Sequence, residues 1–109
     1  MKKLLPLACL LIALAPVARA AAVQENWQEH CASCHGKDGK GATKAGRMAR
    51  VKDLTDPAYQ KTFADEKAAT AISEGQKDEK GKEKMKPFSE KLTAEEIKAL
   101  VAHVRALTK

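Results

Sequence analysis

The residues with the clearest chemistry are two thiols and an imidazole within five consecutive positions, Cys31-Ala32-Ser33-Cys34-His35. On a helix, Cys31 and Cys34 share one face because they are three positions apart. This spacing is the one by which a c-type haem is attached through two thioether bonds, with the following histidine as a ligand of its iron. The pentapeptide therefore predicts one covalent haem c, attached at Cys31 and Cys34, with His35 as an axial ligand.

Two other kinds of site also use a pair of cysteines three residues apart. A structural zinc site needs about four Cys or His ligands, usually from two clusters, but the sequence offers only His30 and His103 in addition and no second cysteine pair. A thioredoxin-like dithiol needs a βαβ unit, and no segment alternates as a strand does. Neither site requires a histidine directly after the second cysteine, so the pattern favours haem over both.

The first twenty residues have the organisation of a secretory signal peptide. A basic start, Lys2-Lys3, precedes an apolar run over residues 4–17, and Ala18-Arg19-Ala20 has the small residues of a cleavage site. We expect cleavage after Ala20, with Ala22 as the alternative, which leaves one domain, residues 21–109, in the periplasm. The alternative is an uncleaved anchor, although the run is shorter than the roughly 20 apolar residues of a spanning helix.

The charge of the mature chain gives no support for a nucleic-acid partner. Removing the basic Lys2, Lys3 and Arg19 with the signal peptide leaves 17 of the 20 basic residues against 14 acidic ones, so the net charge falls from +6 to +3. The basic residues concentrate in two stretches, 37–52 and 77–86. A positive rim that attracts an anionic protein partner is one interpretation, and solvated loop charge is the other.

The elements that must position the pentapeptide are predicted to be helices. A first helix over residues 23–34 carries it, and three glycines among residues 36–41 place a loop directly after it. Asp56-Pro57 has the cap and first-turn proline of a short helix. Another helix follows from Asp65 to its stop at Gly75.

The last helix has the strongest pattern. Residues 76–84 before it contain no apolar side chain and are expected to form a charged loop. Thr93 and Glu96 then form a capping box at the start of the helix. Its apolar residues recur with the helical period: Ile97, Leu100, Val101, Val104 and Leu107. The predicted fold class is all-α.

The order of these elements, with Met85-Lys86-Pro87-Phe88 in the loop before the last helix, resembles the small monohaem class I cytochromes c over residues 23–109. The resemblance implies a cytochrome c fold, with about three main helices and a short one around one covalent haem. It also implies that the first and last helices cross and pack. The protein is then expected to carry electrons and not to be an enzyme.

The same resemblance, with the chemistry of sulfur, points to Met85 as the second axial ligand of iron. A thioether is soft and neutral, so it stabilises ferrous iron and keeps the iron six-coordinate. Met48 competes with Met85 in the mature chain, but it is expected to lie in a basic loop that matches nothing in the ligand pattern of the family. Met85 could otherwise be a core residue.

Other apolar and aromatic residues are expected near the haem. His30 is expected at the surface, while His103 is expected to pack near Trp27, where the family usually has an aromatic residue, with haem ligation as its alternative. The candidates for the haem wall or the core beside it are Leu54, Tyr59, Phe63, Ile72, Phe88 and Leu92.

The predicted function is periplasmic electron transfer by a monomer whose redox partner proteins dock at an exposed haem edge. One alternative is a haem subunit that relays electrons within a membrane or enzyme complex, which would copurify with that complex. Another is a ligand-binding or sensory haem domain with a displaceable sixth ligand, which would bind carbon monoxide rapidly.

Overall fold

The first element is the helix that carries the pentapeptide. A computed structural model describes residues 22–108, so the predicted signal peptide at 1–20 lies outside the described residues. Helix α1 spans residues 22–35 and contains a π-helical turn at Trp27–Cys31 before its last α-helical turn at Ala32–His35. Within the π turn, the N–H of Ala32 donates to the carbonyl oxygen of Trp27. The predicted helix over 23–34 is confirmed, and the π turn within it is an addition.

A short second helix follows the glycine-rich turn. Helix α2 spans Lys44–Ala49, and the Thr43 side chain caps it by accepting a hydrogen bond from the N–H of Gly46. It ends at Arg50, whose φ of 55° is left-handed. Met48 therefore lies on a helix, and our expectation that it lies in a loop is wrong. The six residues of α2 include one buried position, Gly46, so no apolar periodicity marks the helix in the sequence.

The middle of the chain matches the predicted capping signals. Helix α3 spans Pro57–Gln60, and the Asp56 carboxylate accepts a hydrogen bond from the N–H of Ala58 at its start. Helix α4 spans Asp65–Glu74 and stops at Gly75, which has a φ of 77°. Both predicted helices are confirmed.

Residues 76–85 form a small β-hairpin instead of an irregular charged loop. Strand β1, Gln76–Lys77, pairs antiparallel with β2, Glu83–Met85. The Asp78 carboxylate organises the turn by accepting hydrogen bonds from two backbone N–H groups. The strands are too short and too exposed to produce the alternation that predicts a strand.

The last helix completes the core. Helix α5 spans Ala94–Arg105 and begins with the predicted capping box of Thr93 and Glu96. It packs against α4, and the Glu96 carboxylate accepts a hydrogen bond of 2.9 Å from Asn26 of α1. The buried apolar residues of the core are Trp27, Cys31, Leu54, Ile72, Phe88, Leu92, Ile97, Leu100, Val101 and Val104.

Candidate functional site

One apolar cleft brings together residues from both ends of the domain. Cys31, His35 and Met85 line a cavity of about 290 Å³. The same three residues line a second cavity of about 580 Å³, which also includes Cys34. Since the two cavities share these residues, we describe them as the inner and outer parts of one cleft. Both thiols, the imidazole and one thioether of the predicted site therefore lie on the same cleft.

Most of the predicted wall residues line this cleft. Leu54, Tyr59, Phe63 and Ile72 line its inner part, and Phe88 lines its outer part. Leu92 is buried in the core and lines neither part. Sequence reasoning missed several further lining residues, which are Trp27, Thr62, Lys67, Ala68, Ala71, Gln76, Leu100 and Val104. Of these, Leu100 and Val104 could have been found, because they belong to the apolar stripe of α5.

His35 has a neutral imidazole and a ring nitrogen without a hydrogen-bond partner in the described part of the chain, as a metal ligand needs. Burial lowers the pKa of His35, so its imidazole is neutral at physiological pH, which is the form that binds metals. Its buried Nδ1 has no hydrogen-bond partner among the described residues, and no second-shell acceptor is present there. A buried polar atom without a partner costs free energy. The imidazole therefore fits a ligand role better than a purely structural one.

The two cysteines of the pentapeptide are free thiols. Burial raises the pKa of Cys31 to about 11, so its thiol is protonated at neutral pH. Cys34 is half-buried at the outer part of the cleft. Both thiols are therefore unpaired within residues 22–108 and lie on the cleft.

Three residues, Trp27, Thr43 and Gly41, hold the backbone of the pentapeptide and of the glycine that follows it. The indole Nε1 of Trp27 donates a buried hydrogen bond of 3.1 Å to the carbonyl oxygen of Gly36. The Thr43 hydroxyl lies 2.8 Å from the carbonyl oxygen of Ser33 and 3.0 Å from that of Cys34. The N–H of Gly41 donates a bond of 2.7 Å to the carbonyl oxygen of His35. These contacts fix the helix end from which the thiols and imidazole project.

Met85 reaches the cleft from the end of β2. Its side chain is half-buried and lines both parts of the cleft. The following residues are tied to α4, because the N–H of Phe88 donates a bond of 3.0 Å to the carbonyl oxygen of Ile72. Met48, by contrast, is 78% exposed on α2 and lines neither part. Of the two candidate sulfur ligands, the geometry favours Met85.

The two other histidines pack against aromatic rings. The His103 ring lies 4.8 Å from the Trp27 ring, between centroids, and does not line the cleft. The expectation that it packs near Trp27 is confirmed. The side chain of His30 is 19% exposed, and its ring lies 5.3 Å from that of Phe88. His30 is therefore more covered than the sequence suggested.

Basic residues surround the outer part of the cleft. Glu29 is the acidic residue among those that line it. Five basic residues line the outer part of the cleft. Four of them come from the two basic stretches seen in the sequence, and one lies just before α5. We call this set the basic rim: Arg50, Lys52, Lys84, Lys86 and Lys91.

The chain matches one family model and solved structures of known proteins. The family model for cytochrome c matches residues 20–108. The solved structure of the KustC0563 c-type cytochrome is 37% identical, covers 79% of this chain and 96% of its own, and superposes with a TM-score of 0.68. A point mutant of the same cytochrome is 36% identical, covers 80% of this chain and 99% of its own, and gives a TM-score of 0.67. No curated protein sequence matches the chain.

The family has an all-α fold and carries covalently bound haem c, so these two predictions are confirmed. Its members transfer electrons through that haem. Within residues 22–108, none of the helices is long and apolar enough to cross a bilayer. The cleft, the pentapeptide and the match over residues 20–108 lead to one conclusion: the chain belongs to the cytochrome c family.

Proposed function

We propose that the protein is a periplasmic electron carrier that holds a single haem in this cleft. Cys31 and Cys34 form the thioether bonds, and His35 and Met85 are the axial ligands of iron. The observation that carries the proposal is the convergence of these residues on one apolar cleft. A haem bound there supplies one-electron exchange between ferric and ferrous iron.

The chain contributes fixed ligands and an apolar environment to this exchange. The thioether of Met85 is a softer ligand than an imidazole, so His35 paired with Met85 favours ferrous iron more than two imidazoles do. Met85 is held by the hairpin and by the bond between Phe88 and Ile72. The ligand set therefore stays the same before and after electron gain, which suits a carrier better than a sensor with a displaceable ligand.

An optical spectrum of the purified holoprotein in both oxidation states tests the ligand assignment. The ferric protein is expected to show the weak far-red band of methionine bound to iron. Met85→Ala should abolish this band, lower the reduction potential and allow carbon monoxide to bind the ferrous iron. Met48→Ala is the matched control, because Met48 is 78% exposed on α2, and should keep the band. Persistence of the band in Met85→Ala would refute the assignment.

The basic rim provides a docking surface for an anionic redox partner. Its cations surround the outer part of the cleft, beside Cys34 and Met85, so a partner that docks on them would lie next to the proposed haem site. Complexes between redox partners have small interfaces, are transient and weaken as the salt concentration rises. Lysines that line neither part of the cleft, such as Lys61 and Lys98, add only to the net positive charge of the surface.

Rates of electron transfer to an acidic acceptor protein, measured over a range of salt concentrations, test the rim. Lys84→Gln and Lys86→Gln should each lower the second-order rate constant at low salt and flatten its dependence on salt. Lys98→Gln is the control, since Lys98 is exposed on α5 and lines neither part of the cleft. Equal effects of all three substitutions would show that net charge, not the rim, steers the partner.

The periplasmic location is supported by the signal-peptide pattern of residues 1–20. In a host with a haem-attachment system, the mature chain should appear in the periplasmic fraction and begin at Ala21. Its mass should equal that of residues 21–109 plus one haem. A protein that retains residues 1–20 and fractionates with membranes would contradict the location.

A further inference from the structure

Arg105, at the end of α5, lies behind the aromatic part of the cleft wall. The central carbon of its guanidinium is 4.5 Å from the centroid of the Phe63 ring. Phe63 lines the inner part of the cleft, as does Tyr59, whose ring centroid is 5.4 Å from that of Phe63. A positive charge is thus stacked on a ring that forms the cleft wall.

Hydrogen bonds hold the guanidinium in this place. Its Nη1 donates to the backbone carbonyl oxygen of Gln60 at 2.6 Å and to the side-chain oxygen of the same residue at 3.1 Å. Its Nη2 donates to the carbonyl oxygen of Phe63 at 2.7 Å. Its Nε donates to the Asp65 carboxylate at 2.7 Å. With four bonds and a stacked ring, the charge has a defined position.

Gln60 connects this arrangement to the rest of the wall. The residue is 5% exposed, and its amide nitrogen donates to the carbonyl oxygens of Leu54 and Val104, at 2.7 and 2.6 Å. Leu54 and Val104 both line the cleft. The segment that carries Tyr59 and Phe63 is therefore tied to α5 by a buried polar network.

The charges on the two sides of the network differ in exposure. The side chain of Arg105 is 31% exposed, whereas that of Asp65 is 65% exposed. Water therefore screens the carboxylate more than it screens the guanidinium. The carboxylate therefore offsets only part of the positive charge of the guanidinium.

We propose that Arg105 raises the reduction potential of the haem from behind the Phe63 ring, and that Asp65 limits the size of this effect. Ferrous haem carries one positive charge fewer than ferric haem, so a fixed positive charge nearby favours the reduced state. Arg105 contacts no iron ligand and acts by its charge and by positioning Phe63. The inference rests on the haem position proposed above.

Redox titration of the holoprotein, followed by its visible spectrum, tests this inference. Arg105→Met should lower the midpoint potential, because it removes the charge and keeps much of the apolar stem. Asp65→Asn should raise the potential, because it removes the opposing charge and leaves the bonds of Arg105 to Gln60 and Phe63 in place. Arg105→Lys retains the charge and should shift the potential less than Arg105→Met does.

A merely structural role of Arg105 predicts a different pattern. If the two side chains only hold the wall together, Asp65→Asn and Arg105→Met should move the potential in the same direction. That result would overturn the inference, as would an unchanged potential in both variants. Lys98→Met is the control, because Lys98 is an exposed cation of the same helix that does not line the cleft. Its shift should be smaller and should vanish in high salt, while that of Arg105→Met should persist.

Failure of this inference can be separated from failure of the proposed function. The far-red band and its loss in Met85→Ala report on the haem position and ligands, whereas the Arg105 and Asp65 variants are expected to keep the band. If Arg105→Met does not fold, Asp65→Asn still gives the sign of the effect.

Discussion

The carbonyl oxygen of Met85 lies within overlap distance of the point where a Cβ on Gly75 would stand. The backbone nitrogen of Pro87 lies 2.9 Å from the same point, and Gly75 itself has a φ of 77°. The next residue, Gln76, pairs with Met85 across the hairpin. The position of the proposed sulfur ligand therefore depends on the absence of a side chain at the end of α4.

Gly75→Ala is expected to displace Met85 from the cleft. The added Cβ overlaps the Met85 carbonyl oxygen and Pro87 nitrogen, which are backbone atoms and cannot move without shifting the loop. The far-red band of the ferric holoprotein should weaken or disappear, the reduction potential should fall, and the ferrous protein should bind carbon monoxide.

Gly81→Ala is a matched control for this substitution. Gly81 lies in the same hairpin with a similar φ of 79°, but no atom lies within 4 Å of an added Cβ. Both variants place a Cβ at a residue with positive φ, but only Gly75→Ala also carries the steric overlap and a ψ of −176°, a combination that residues other than glycine rarely adopt. Equal spectra for the two variants would show that the contact with Met85 does not position the ligand.

The sequence alone predicts those parts of the structure that local signals specify. The pentapeptide identifies the cofactor because haem attachment demands a fixed spacing. The capping box at Thr93 defines a helix start because side chains pair with backbone N–H groups there. Gly75 defines a helix end because glycine readily adopts the positive φ at which a helix stops. The prediction of Met85 as an iron ligand depended on the family resemblance as well, because nothing near residue 85 in the sequence reveals its distance from His35.

Features that depend on contacts between distant segments could not be predicted. Helix α2 lacks an apolar stripe, and its packing depends on the close approach of Gly46 to the carbonyl oxygen of Cys34. The bond from Gln60 to Val104 joins residues that are 44 positions apart. A buried glutamine gives no sign in the sequence of where its partners lie, so the network around Arg105 is visible only in the folded chain.

Thr43→Val is expected to weaken the support of the pentapeptide. The Thr43 hydroxyl contacts the carbonyl oxygens of Ser33 and Cys34 and accepts a bond of 2.8 Å from the N–H of Gly46. Valine has the same shape without the hydroxyl, so the free energy of unfolding of the holoprotein should fall by about 1–2 kcal/mol. Denaturation by guanidinium chloride measures this loss.

Thr70→Val provides the comparison for Thr43. The Thr70 hydroxyl is exposed and donates one bond, to the carbonyl oxygen of Glu66 within the same helix. Its replacement should change the free energy of unfolding by less than about 0.5 kcal/mol. If Thr43→Val costs no more than Thr70→Val, the cap is not important for holding the haem-binding segment.

Thr93→Ala is expected to destabilise the start of α5. The Thr93 hydroxyl accepts a bond of 3.1 Å from the N–H of Glu96, and the Glu96 carboxylate accepts one of 3.0 Å from the N–H of Thr93. Loss of this cap typically costs about 1 kcal/mol. Thr93→Ser should restore most of the stability in the same denaturation experiment, and a serine variant as unstable as the alanine variant would argue against the cap.

His103 is expected to make the stability of the protein depend on pH near neutrality. Burial lowers the pKa of His103 from 6.5, and its buried Nε2 has no hydrogen-bond partner among the described residues. The unfolded chain therefore binds a proton more readily than the folded one, so stability is full above pH 6.5 and declines as the pH falls. His103→Phe keeps a ring against Trp27 without a titrating group. The free energy of unfolding should therefore fall less between about pH 7.5 and about pH 5.5 in this variant.

Glu96→Gln separates this effect from that of a carboxylate. The backbone bond from Thr93 lowers the pKa of Glu96 from 4.5, so its contribution to stability is present above pH 4.5 and is lost only as the pH falls further. Glu96→Gln should therefore leave the slope between about pH 7.5 and about pH 5.5 unchanged. Protonation of His35 is common to all three proteins and cancels in the comparison. A slope that is the same in His103→Phe and in the unaltered protein would assign the acid sensitivity to the haem ligands instead of the Trp27 contact.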